Sequence, residues 1–153
     1  MKSTGPRTPE GKRRSSRNAM RHGLLSSTVV LPNESPEAFA ALLRGYETEF
    51  DPTTQVERDL VETMAVVRWR QMRLWGMEKA GLAHEIVNQL TGTEAAPDHA
   101  TRAAIAFRSL ADGSHSLELQ SRYESRFDRQ FYRALDRLES RRKKAANLPN
   151  ELS

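Results

Sequence analysis

The sequence contains no cysteine. That removes a disulfide framework and any thiolate metal site, and it fits a reducing, cytoplasmic compartment. No run of 18 apolar residues occurs, so no transmembrane span is expected. The N-terminus is basic but has no apolar segment behind it, so it does not read as a secretory signal. Strand-like alternation is absent, and so is any internal repeat. Signatures of catalysis are missing too: no Gly-rich phosphate loop, no nucleophile elbow and no helical Glu-x-x-His pair. The four histidines, His22, His84, His99 and His115, have no zinc-ligand spacing. These gaps predict a protein that is not an enzyme and carries no metal or other cofactor.

What is present is charge, unevenly placed. Residues 1–30 carry seven Lys/Arg against one acid, and residues 31–140 carry 13 against 18. Residues 141–153 carry four against one. An acidic body therefore has two basic ends, the arrangement of an interaction tail for a polyanion. The 153 residues, 37% of them apolar, suit one domain of modest core with a tail.

Helical periodicity runs through most of the chain. Thr8 can cap a helix, Pro9 suits its first position, and Gly23 reads as its stop, giving a basic helix from about Pro9 to His22. That length is close to the ~12–15 residues below which isolated helices are marginal in water, so this arm is expected to be partly disordered. Residues 24–34 read as a linker in which Val29, Val30 and Leu31 could dock as an extended piece. Ser35 caps a second helix that ends near Phe50. A long helix from about Thr53 to Leu90 contains Gly76 and Gly81 as points where it could bend. "TGTEAAPD" breaks it, and a shorter helix follows over Asp98–Ala111. The last helix, expected from His115 to Ala145 with Ser114 as its cap, has Phe127, Phe131, Ala134 and Leu138 at coiled-coil spacing. The expected fold is all-α: a long antiparallel helical hairpin, one or two shorter helices packed on it, and the basic arm. In residue ranges this is an arm and linker over 1–34, a helical domain over 35–146 and a disordered tail over 147–153.

Three constellations carry possible chemistry. In the arm, Arg13, Arg14, Arg17 and Arg21 fall within an arc of about 100° on a helical wheel, with Lys12 and His22 beside them. Such a stripe suits nucleic-acid phosphates; a merely solubilising tail is the plainer reading. In the last helix, Arg122, Arg126, Arg129, Arg133 and Arg137 fall within about 80°. One reading is ordinary packing, with these arginines paired to acids of a neighbouring helix. The other is a second face that tracks phosphates. In "VVRWRQMRLWGMEK", Arg68, Gln71 and Glu78 intrude on an apolar face and are expected to find partners or an oligomer seam. Trp69 and Arg73 are spaced for a cation–π contact.

The stretch "KSTGPRTPEGKRRSSRNAMRHGL", residues 2–24, resembles the N-terminal signature of a large group of uncharacterised bacterial proteins. Segments similar to "LVETMAVVRWRQMRLW" and "RYESRFDRQFYRALDRL" occur in the same group and the same order. The resemblance implies membership of that group and supplies no catalytic residue. "RNAMRHGL" also resembles a segment of phage small-terminase-like proteins, which implies association with DNA. The expectation is a non-enzymatic nucleic-acid-binding protein, DNA before RNA, whose basic arm contacts phosphate. The alternative is a helical scaffold that binds an acidic protein or self-associates as a homo-oligomer through the hairpin seam. No membrane partner is expected.

Overall fold

The structure is a computed structural model that describes residue 6 and residues 8–89, 98–113 and 115–147. Within helices, the side chains of residues 17, 18, 21, 22 and 24 fall outside that set. The expected tail beyond residue 147, most of the first seven residues and the Ser114 cap also lie outside it. Among the described residues there are five helices and no strand: α1 Pro9–Val29, α2 Pro36–Phe50, α3 Gln55–Asn88, α4 His99–Asp112 and α5 Ser116–Ala146. They group into two compact units, Met1–Asp51 and Pro52–Ser153.

In the first unit, α1 starts as the sequence requires. The Thr8 hydroxyl accepts from the Gly11 N–H at 3.1 Å, with Pro9 in the first turn. Its end corrects the expectation. The helix does not stop at Gly23 but continues to Val29, so the linker begins only at Val30, which is extended and donates to the Ser26 carbonyl. A glycine stop needs a left-handed backbone, and no glycine among the described residues has a positive φ. Leu25 and Val29, one turn apart, supply the reason: Leu25 is half-buried and Val29 is buried. Packing of that pair offsets the ~1 kcal/mol penalty of a helical glycine. At 21 residues, α1 is also past the length at which helices are marginal. A short turn then leads into α2, whose Ser35 hydroxyl accepts from the Ala38 N–H at 3.1 Å. Phe39 and Leu43 are fully buried on α2.

In the second unit, α3 and α5 form the expected antiparallel hairpin. Cross-helix contacts set its register: Glu57 with Arg142, Gln71 with Asp128 and Trp75 with Glu124, one number falling as the other rises. Val61, Met64, Ala65 and Val67 from α3 and Ala134 and Leu138 from α5 are its buried apolar residues. The shorter α4, capped by Asp98, packs against both. It approaches α3 at Gly81, where a Cβ would lie 3.7 Å from Leu110. α3 is continuous through both Gly76 and Gly81.

A Cβ added at Gly23 meets no described atom within 4 Å. Gly23→Ala is therefore expected to raise helix content and to stabilise the protein by about 0.5–1 kcal/mol. Far-UV circular dichroism and urea unfolding read this directly. A destabilised Gly23→Ala variant would instead place a left-handed stop at that position.

Candidate nucleic-acid interface

The first half of α1 is cationic because of what it lacks as much as what it has. Glu10 is its single acid, placed in the first turn where the helix N-terminus favours it. Lys12, Arg13 and Arg14 are exposed, and none has an ion pair among the described residues. Ser15 and Ser16 next to them are exposed as well. Arg17, Arg21 and His22 belong to the same helix, and their side chains lie outside the described set.

α5 separates its charges more sharply than the wheel alone indicates. Arg122, Arg126, Arg129, Arg133 and Arg137 are all exposed. Arg122 has a loose pair with Glu118 at 4.0 Å, both side chains well hydrated. Such a pair contributes ~0–1 kcal/mol. Arg126, Arg129, Arg133 and Arg137 make no ion pair or hydrogen bond among the described residues. Among the described residues, the row therefore meets no acid of a neighbouring helix.

The acids of α5 are used elsewhere. The Trp75 indole N–H donates to Glu124 at 2.9 Å, and the Gln71 amide donates to Asp128 at 2.9 Å. Glu139 faces Lys143 one turn along at 3.9 Å. Asp136, at the edge of the arginine row, makes no ion pair among the described residues. Glu124 and Asp128 lie on the far side of α5 from the row, with no arginine of the row three or four positions away, and face neutral donors on α3.

The α3 side of this contact meets the expectation for two of its intruding polar groups, Arg68 and Gln71, and not for Glu78, which makes no hydrogen bond or ion pair among the described residues. Arg68 donates to the Gln71 side-chain oxygen at 2.6 Å, and its guanidinium lies over the Phe131 ring at 4.9 Å. Gln71, only 4% exposed, is therefore satisfied at both ends of its amide. Glu78 is half-buried. Tyr123 stacks on Phe127 and Tyr132 sits edge-on to Phe131, and both tyrosines stay exposed on either side of the arginine row. A shallow open depression of about 510 Å³ lies over Tyr123, Arg122, Arg126 and Arg129.

Arg142 differs from the arginine row. It donates to Glu57 at 3.3 Å, and Glu57 also accepts from the Thr53 N–H at 2.9 Å and the Thr53 hydroxyl at 3.1 Å. The end of α5 is thereby tied to the start of α3. Sequence reasoning missed this pair, because 85 residues separate its members and both read as ordinary surface charges.

Among the described residues, no group of three or more His, Asp or Glu could hold a metal ion, and no helix is long and apolar enough to cross a membrane. No family profile, curated protein or solved structure matches the chain.

The Glu57 carboxyl is held below the ordinary glutamate value of 4.5, chiefly by the Thr53 N–H, with burial opposing and Arg142 and the Thr53 hydroxyl assisting. A depressed folded pKa stabilises the fold above the ordinary value. That contribution is lost as pH falls through the depressed value. Acidification below 4.5 should thus lower the urea midpoint of the native chain more steeply than that of Glu57→Gln. Parallel pH profiles for the two proteins would show Glu57 has no such role.

Proposed function

We propose that this chain is a non-enzymatic helical protein that binds nucleic acid, DNA in the first instance, through the cations of α1. Lys12, Arg13 and Arg14 make the first contacts, Arg17 and Arg21 join them by helical register, and His22 supports them from the same helix. The observation that carries this reading is a run of exposed cations with no acid partner among the described residues, on a helix with one acid. Free, such charges repel one another; against phosphates they attract and release counterions. The 21-residue length of α1 adds support. A helix formed before contact loses less conformational freedom on binding than a coil that must fold. Its apolar end, Leu25 and Val29, is packed, while its cationic half presents charge to solvent at Lys12, Arg13 and Arg14. The α1 arginines offer phosphate contact with no evident set of base-reading side chains, so weak or shape-based sequence preference is expected.

The test uses charge substitutions in the full chain, because deleting residues before Val29 would also remove a packed helix. The variant carries Arg13→Gln, Arg14→Gln, Arg17→Gln and Arg21→Gln. If four phosphates are contacted, the slope of log affinity against log salt should become shallower by about 3.6 on duplex DNA. Unchanged affinity and slope would sink the α1 reading.

A further inference from the structure

The arginine row of α5 is a different surface from α1 and belongs to the other compact unit. Its five members span Arg122 to Arg137, about 22 Å along the helix, within an arc of about 80°. All five are exposed, and the last four have no partner among the described residues. Their separation, about 4–6 Å of rise per step, is shorter than the Debye length of ~8 Å at physiological salt. The row therefore acts on its surroundings as one line of charge rather than as separate residues.

Solubility alone does not call for this arrangement. It would be served by mixing the acids of α5 among the arginines, which would also relieve their repulsion. Instead Glu124 and Asp128 are committed to Trp75 and Gln71 on α3.

The composition of the row indicates which polyanion fits it. A stable protein interface needs an apolar centre around which its polar rim is arranged. Between Arg122 and Arg137 the 80° arc holds arginines and no apolar residue, so an acidic helix laid along it would find no apolar centre, only the flanking Tyr123 and Tyr132. A phosphodiester backbone needs no such centre, and the guanidinium fork matches phosphate oxygens in pairs. One strand of a duplex presents one charge per about 3.4 Å of duplex axis, the same order as the rise between neighbouring arginines of the row. Ser125 lies between the first two arginines and Tyr123 beside them, both exposed and bordering the same depression. They add a hydroxyl donor and a ring on which a base can stack.

We propose that the outward face of α5, Arg122, Arg126, Arg129, Arg133 and Arg137, is a second nucleic-acid surface that tracks the phosphodiester backbone independently of α1. The inference shares its class of partner with the reading above and none of its residues.

The experiment compares four full-length proteins: the native chain, the α1 variant above, an α5 variant and a charge-keeping control. The α5 variant has Arg126, Arg129, Arg133 and Arg137 each replaced by Gln; the control has the same four replaced by Lys. These positions are exposed and Gln has nearly the helix propensity of Arg, so circular dichroism should be unchanged. Affinity is measured against a labelled duplex and the matching single strand across a salt series. On the duplex, the α5 Gln variant should bind at least tenfold more weakly near 100 mM salt, with a slope shallower by about 3.6, or about 2.8 on the single strand. The Lys control should keep most of the slope.

Loss of binding in the α1 variant, with the α5 variant unchanged, overturns this inference and leaves the α1 reading standing. Loss in the α5 variant alone supports the inference and removes the α1 reading. Native affinity in both variants, or no binding by the native chain, overturns both. Polyglutamate binding as tight as DNA at the same salt overturns the inference in favour of an acidic protein partner.

Discussion

Gln71 is almost wholly buried between α3 and α5, and its amide must be satisfied there. It takes Arg68 on one side and Asp128 on the other, while Trp75, one turn on, takes Glu124. A buried amide left unpaired costs on the order of 1–3 kcal/mol, so these contacts fix how α3 and α5 meet. Van der Waals packing of Val61, Met64, Ala134 and Leu138 tolerates small slips; a specific donor–acceptor pair does not. The register that satisfies Gln71 also brings Arg142 to Glu57 at the far end of the hairpin.

The outer surface of α5 has its own electrostatics. Asp128 and Glu124 lie on the side that meets α3, with no arginine of the row three or four positions away, so they do not neutralise the row. Neighbouring arginines about 6 Å apart repel by about 0.7 kcal/mol in water, less with salt. The helix tolerates this because the row is fully hydrated and its opposite side is packed. On contact with phosphate the sign of that energy reverses and condensed ions are released. The polar contacts inside the hairpin and the cationic surface outside it thus follow from one division of α5 into an inward face that holds these acids and an outward face of arginines.

Much of the fold could be read from local signals. Thr8, Ser35 and Asp98 are side-chain caps whose helices begin where the caps require. The hairpin followed from apolar spacing in two long segments, and the intruding Arg68 and Gln71 announced polar partners. Gly23 shows where such reading fails. As a stop signal it is local, whereas the burial of Val29 that carries α1 past it is a tertiary fact. The arginines of α5 show a second kind of failure. A wheel gives the direction of each side chain but not which acid each will meet. That Asp128 meets Gln71 depends on a helix 57 positions away in sequence. The exposure of Lys12, Arg13 and Arg14 was legible from composition alone, since α1 offers them one acid.

The central claim is that the exposed arginine row of α5, whose last four members have no partner among the described residues, holds phosphate. Arginine modification by phenylglyoxal, mapped by mass spectrometry with and without saturating duplex DNA, tests it most directly. The account predicts protection of Arg126, Arg129, Arg133 and Arg137, with the exposed Arg108 of α4 modified equally in both states. Equal modification of the α5 row with and without DNA, under conditions where the DNA is bound, would contradict it.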